Sequence, residues 1–196
     1  MPLTRILAGG NPLSNLEPFE EDPPERLVFD TIVGRPGYAD TVIARWERSG
    51  HARSARLSKL AIAYRRGDTA ALRRLAVQHQ GHRYVYVPGV ALTFDEAMEA
   101  AARFGGHLVS VETAEEYQLA LRLLPLRRAA WLGIDLEAKP MRWLTGEPLT
   151  FDHFFSLSDR TAAEPKYMNN FARNDAPWFA AVRGTELSGL IVEWDD

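Results

Sequence analysis

Five histidines are the first residues to test for acid, base or metal chemistry: His51, His79, His82, His107 and His153. They are scattered, with no His-Glu-x-x-His helix to set two of them on one metal and no Gly-x-Ser-x-Gly elbow for a histidine to activate. Gly34-Arg35-Pro36-Gly37 lacks the Gly-Lys-Ser/Thr that a phosphate-cradling loop needs. The chain has no cysteine, which excludes disulfides, zinc-thiolate centres and cysteine nucleophiles. Glu147 and Asp152 match a glycosidase-like carboxylate pair in type only, and we read them as surface or turn residues. These exclusions argue against an enzyme. What remains is a group of aromatic residues, Phe154, Phe155, Phe171, Trp178 and Phe179, interspersed with asparagine and arginine. Such a mixture suits a sugar face or a protein hot spot, although Phe154 and Trp178 are expected to fill core space.

The aromatic group falls in a stretch, Phe151 to Ser188, that carries few regular signals. Irregular segments of that length inside a compact domain are usually functional or disordered. Something rigid must hold such a stretch, and the sequence offers it just upstream. Ala129-Ala130-Trp131-Leu132-Gly133-Ile134 and Arg142-Trp143-Leu144-Thr145-Gly146, on either side of a charged turn at Lys139-Pro140, read as a buried strand and its hairpin partner. Each tryptophan can remove roughly 150 to 250 Å² from water, which makes the pair a natural core centre.

The preceding chain reads as helices and a strand. Residues 1–26 hold Pro2, Pro12, Pro18, Pro23 and Pro24 with an acidic cluster, and are expected to form an extended arm or to be disordered. Residues 27–80 form a helical segment after the apolar Leu27 to Val33. One helix runs from Tyr38 to Arg48, a second is capped by Ser54 with Leu57, Leu60, Ala61 and Tyr64 on one face, and a third is capped by Asp68. From Gly81, Tyr84 to Val87 is strand-like and ends at Pro88-Gly89. Thr93 with Glu96 and Thr113 with Glu116 form two capping boxes. The first opens a helix that presents Phe94, Ala97, Met98, Ala101 and Phe104 to the core and stops at Gly105-Gly106. The second leads a helix to Leu124, and a last strand, Gly189 to Trp194, pairs beside the first.

With 46% hydrophobic and 25% charged residues, the 196-residue chain has the balance of a soluble globular protein. No apolar run approaches a membrane span, and the N-terminal run is too short for a secretory signal, so a cytoplasmic location is expected. The net charge of −3 is unevenly spread, and Arg45 to Arg74 is strongly basic. That face lacks a recognition motif or interleaved aromatic residues, so a solvated surface is preferred over nucleic-acid binding.

Gly81-His82-Arg83-Tyr84, Thr93-Phe94-Asp95-Glu96-Ala97, Gly105-Gly106-His107-Leu108-Val109-Ser110-Val111, Trp131-Leu132-Gly133-Ile134 and Gly189-Leu190-Ile191-Val192-Glu193-Trp194 occur in this order across residues 81–196. In order and spacing they resemble a C-type lectin-like domain. The resemblance implies an α+β fold of two helices, small antiparallel sheets and a long irregular loop region. It also places Ala101 and Val192 where the family commonly has a disulfide, and Trp178 near another family cysteine. Losing such a link typically costs about 2 to 5 kcal/mol, which apolar packing would have to offset. His82 and His107 fall at strand edges of the resembled fold and are expected to be structural hydrogen-bonding residues. A related branch that oxidises cysteines relies on cysteine chemistry this chain lacks.

The family's calcium and sugar tripeptides, Glu-Pro-Asn and Trp-Asn-Asp, correspond to Glu164-Pro165-Lys166 and Arg173-Asn174-Asp175. The resemblance further implies that Glu164-Pro165 is a cis peptide. Glu164, Asn174 and Asp175 match in type and would be the metal ligands, with Asn169 or Asn170 adding oxygen. Calcium takes six to eight oxygens and usually more than one carboxylate. Lys166 opposes it: an ammonium about 6 Å from Ca²⁺ costs roughly 5 kcal/mol at an effective dielectric near 20, and about 1 to 2 under full solvent screening. Lys166 paired with Glu164 or Asp175 would satisfy the same anions without metal, and this cofactor-free loop is the preferred reading. The expectation is thus a non-catalytic module that recognises a protein or other surface through loops 151–188 without calcium, using Glu164, Lys166, Asn169, Asn170, Arg173, Asn174 and Asp175. The alternative is weak calcium-dependent carbohydrate binding through Glu164, Asn174 and Asp175.

Overall fold

The computed structural model of the protein describes residues 36–124, 129–151, 166–171, 178–182 and 184–196. The proline-rich arm and the apolar segment from Leu27 to Val33 lie outside them. Helix α1 spans Pro36–Arg48, with proline in the first turn, where its missing amide costs nothing. Helix α2 spans Ala52–Arg66 and begins two residues before the expected cap. Ser54 is not that cap: it is buried inside the first turn, where its carbonyl accepts a 2.7 Å bond from Ser58 Oγ. The helical bonds begin earlier, with Ala55 N donating to the His51 carbonyl, so Ser54 lies inside the helix and its residue type alone does not fix the start. Gly67, at φ +66°, ends α2. Asp68 then caps helix α3, Thr69–Leu75, by accepting from Ala71 N at 2.8 Å. The chain divides between Ser58 and Lys59 into two compact units.

In the second unit, strands β1 (Val77–His79), β2 (His82–Leu92), β3 (His107–Leu108) and β9 (Leu187–Asp195) form a sheet in the order β1-β2-β9-β3. The first long strand and the last pair antiparallel from His82 opposite Asp195 to Pro88 opposite Gly189. Pro88-Gly89 does not end β2, contrary to the sequence expectation. Pro88 still faces Gly189, the register then shifts, and pairing resumes at Leu92 opposite Leu187. Proline is tolerated because it sits at an irregularity, where a ladder bond is interrupted anyway.

Both capping boxes form, opening α4 (Phe94–Arg103) and α5 (Ala114–Leu123). Helix α4 ends in a reciprocal pair of turns: Gly105 N donates to Ala102 O and Gly106 N to Ala101 O, with Gly105 at φ +70°. Phe94, Ala97, Ala101 and Phe104 are buried as the helical stripe predicts, but Met98 is exposed. The apolar face is therefore narrower than expected, and an unbranched methionine at its edge stays in solvent. Val85, Val87, Leu190 and Val192 from the sheet meet this face, together with Leu60 and Leu72 from the preceding helices. Ala101 and Val192 are both fully buried in that one core.

Close approach explains the motif glycines. A Cβ on Gly133 would stand 2.8 Å from Leu108 O, and one on Gly189 would collide with the Tyr86 ring. Indole donors fix the corners, with Trp131 Nε1 bonding Leu92 O at 2.8 Å and Trp194 Nε1 bonding Phe104 O at 2.9 Å. On the outer side, Asp196 accepts from Arg73 at 2.9 Å and Arg83 at 2.6 Å, so Arg73 belongs to an ion-pair cluster rather than to a freely solvated face.

Candidate functional site

The expected hairpin is divided between two small sheets. Ala129–Trp131 is strand β4, and the run breaks at Leu132-Gly133 where Gly133 N bonds Val109 O. Strand β5 (Ile134–Asp135) pairs with β6 (Arg142–Trp143), Ile134 facing Trp143. Strand β4 instead joins a second sheet in the order β4-β7-β8, in which β7 is Lys166–Phe171 and β8 is Phe179–Val182. The stretch expected to be irregular thus supplies two strands. Tyr167 and Met168 in β7 pair with the short apolar run of β8, which was too brief to read as a strand alone.

This places three of the candidate residues on one strand. Lys166 pairs with Val182, Asn169 with both Trp131 and Phe179, and Asn170 with Ala130. Along a strand, Lys166 and the asparagines are separated by roughly 10 to 13 Å between Cα atoms, so they do not form one tight cluster. Glu164, Arg173, Asn174 and Asp175 lie outside the described residues, as do Asp152, His153, Phe154, Phe155 and the Glu164-Pro165 bond.

Trp178, the residue before β8, belongs to a packed aromatic group. Trp178 is fully buried, its ring 5.9 Å from Trp143 and 5.9 Å from Phe151 at steep angles, and 6.3 Å from Tyr117. Edge-to-face contacts of this kind are worth about 0.5 to 1.5 kcal/mol each beyond area burial. Trp178 is therefore a packing residue, as expected from its place in the sequence. It joins helix α5, through Tyr117, to the start of β8.

A second, polar arrangement lies where the first long strand and the last strand of this unit meet. Glu193 is 2% exposed in an otherwise apolar strand, and its Oε2 accepts from Ser110 N at 2.7 Å. Burial pushes its carboxyl above the ordinary range, against the opposing pull of the Ser110 amide and of His107 and His82. Tyr84, opposite Glu193, donates to Glu116 Oε1 at 3.2 Å. Burial raises the phenol strongly, and the Glu193 and Glu116 carboxylates raise it further. Glu116 also accepts from the amides of Glu112 and Thr113, so one capping carboxylate closes a helix and anchors the tyrosine. His82 and His107 bond Asp195 and the Leu108 carbonyl, respectively, in keeping with their expected structural role. The sequence reading missed Glu193 and Glu116 as partners of Tyr84. The available signal was an acid interrupting Leu190-Ile191-Val192-Glu193-Trp194.

No family model and no curated protein sequence matches this chain. Solved structures do. The cow C-type carbohydrate-recognition domain of CD23, crystallised in the presence of an oligosaccharide, is 22% identical, with a TM-score of 0.53 over 62% of this chain and 93% of that one. Herring type II antifreeze protein is 17% identical, at 0.53 over 62% and 96%. Human lithostathine is 15% identical, at 0.53 over 62% and 88%. About 62% of the chain therefore has the C-type lectin-like fold, here built without cysteine. Among the described residues no helix is long and apolar enough to cross a membrane.

Proposed function

We propose that the domain is a non-catalytic binding module that recognises a protein or other surface, without calcium, through residues 151–188. The observation that carries this reading is the platform itself. The rings of Trp178, Trp143, Phe151 and Tyr117 interlock, and Trp178 leads directly into β8 of the β4-β7-β8 sheet, so residues 151 and 178 on either side of the candidate residues are anchored in one buried aromatic group. Pre-organised attachment lowers the ordering cost of binding, which is what a recognition surface needs. The solved structures that share the fold include a carbohydrate-recognition domain and antifreeze proteins, which supports a binding role.

Calcium independence rests on Lys166, where the resembled sugar-binding pattern has asparagine. A thermal melt of the full chain in millimolar calcium against a chelator tests it. Calcium at about a hundred times its dissociation constant would add about 2.7 kcal/mol of stability. The expected result is no shift for the native chain, and a shift once Lys166→Asn removes the ammonium. A calcium shift in the native chain, lost in Asp175→Ala, would replace this reading with calcium-dependent carbohydrate binding through Glu164, Asn174 and Asp175.

A further inference from the structure

Strand register gathers four metal-capable side chains where the start of β2 meets the end of β9. Glu193 and Asp195 are two apart on β9 and so share a face. His82 on β2 is the register partner of Asp195, and His107 on β3 is the partner of Glu193. His82 Nδ1 lies 3.1 Å from Glu193 Oε1 and 2.9 Å from Asp195 Oδ1. His107 Nε2 lies 3.4 Å from the same Asp195 Oδ1. The ligand atoms of His82, Glu193 and Asp195 are all within 4.8 Å of one another.

The protons decide what this arrangement can hold. His107 Nδ1 stands 3.0 Å from the Leu108 carbonyl, which can only accept, so Nδ1 carries a hydrogen. A neutral His107 then presents the Nε2 lone pair to a carboxylate oxygen, two acceptors face to face. A metal ion between the two would turn that opposed pair into two ligands. A backbone carbonyl fixing the far nitrogen is also the usual support for a metal-bound imidazole. Donors around a tetrahedral zinc at 2.0–2.2 Å stand about 3.3 Å apart, close to the separations among His82, Glu193 and Asp195, while His107 Nε2 stands at that spacing from Asp195 alone. Two imidazoles suit zinc, and two carboxylates balance its charge.

We infer that His82 Nδ1, Glu193 and Asp195 form a zinc site, which His107 Nε2 completes from beside Asp195, so that the ion clasps β2, β3 and β9. It is independent of the loop site proposed above. Its effect is to cross-link the first and last strands of the domain, in a chain that has no sulfur to do so.

Isothermal titration of chelator-treated full-length protein with zinc chloride tests this, with calcium and magnesium chlorides as comparisons. One zinc per chain should bind, more weakly in acid because the imidazoles must lose their protons. His82→Gln and Asp195→Asn should each lower affinity by more than about tenfold, since removing a ligand costs at least as much as removing its support. Glu164→Gln with Asp175→Asn should leave zinc affinity unchanged, which separates this site from the loop. Because variants can misfold, the imidazole nitrogen resonances of the native chain give a second readout: two of the five histidines should shift on adding zinc. Absence of saturable binding, zinc affinity that survives the His82→Gln/Asp195→Asn double change, or native histidine resonances that ignore zinc would each overturn the inference.

Discussion

The closing pair β2 and β9 and the loop-bearing pair β7 and β8 are both antiparallel, yet they are secured in different ways. The closing pair is held by a long ladder, helix α4 packed across it, indole bonds at its corners and the Asp196 ion pairs outside. The loop-bearing pair has a short ladder, one neighbouring strand and a single aromatic floor. Many linked restraints make the first region cooperative, so that the loss of one is felt throughout it. The second depends on few groups, and Trp178 is foremost among them.

That contrast can be broken most directly at the tryptophans. Trp194→Ala and Trp178→Ala should each cost about 3 to 5 kcal/mol, the usual range for emptying a buried indole. The consequences should differ: in hydrogen exchange, Trp194→Ala lowers protection throughout the second unit, whereas Trp178→Ala lowers it chiefly in β7 and β8. Equal loss everywhere in both variants would make the two regions one cooperative block. A smaller effect, of opposite sign, is expected from Ala101→Cys with Val192→Cys. An oxidised link between these buried positions should add about 2 to 4 kcal/mol, read as the difference in Tm with and without reductant. No gain would mean that α4 and β9 do not superpose on the disulfide-bearing members of the fold.

The polar end of the closing pair gives a pH test. Tyr84 holds its proton in the folded chain well above the ordinary value of 10.0, because burial and two carboxylates disfavour the phenolate. Its contribution is complete below that value and is lost as the pH rises above it, since only the unfolded chain then releases the proton. Tyr84→Phe should therefore flatten the alkaline decline in urea-melt stability while costing about 1 kcal/mol at neutral pH through the lost bond to Glu116. An unchanged alkaline limb would exclude Tyr84 as its source. Smallest of all, Thr113→Ala should cost about 1 kcal/mol by uncapping α5, visible as a small fall in Tm.

How far the sequence carried follows the same division. Capping boxes, the Gly105 stop and the Gly189 to Trp194 strand are local signals, each enforced by the residues that carry it, and all of them appear. Errors arose where a local rule met a tertiary one. Pro88 reads as a strand end because the shift that accommodates it lies in its partner's register, and Ser54 reads as a cap because its type does not show that the helical bonds already begin at His51. Strands β7 and β8 were missed because each is short and is stabilised by the other and by Ala129–Trp131, a contact more than thirty residues away in sequence. For the loop site only residue types were legible. Lys166, Asn169 and Asn170 prove to be spread along a strand, and spacing in sequence could not reveal that.

The register shift between Pro88 and Leu92 bears on which length changes the domain can accept. A residue added or removed there would alter the size of an existing irregularity, while the indole of Trp131 still holds Leu92 O. The same change between Tyr84 and Val87 would exchange the two buried sides of the strand, setting Val85 against the carboxylates of Glu116 and Glu193 and forcing a tyrosine hydroxyl into the apolar core. Divergent copies of this gene should accordingly accumulate insertions and deletions near Gly89 and Val90 while keeping the spacing from His82 to Val87 constant.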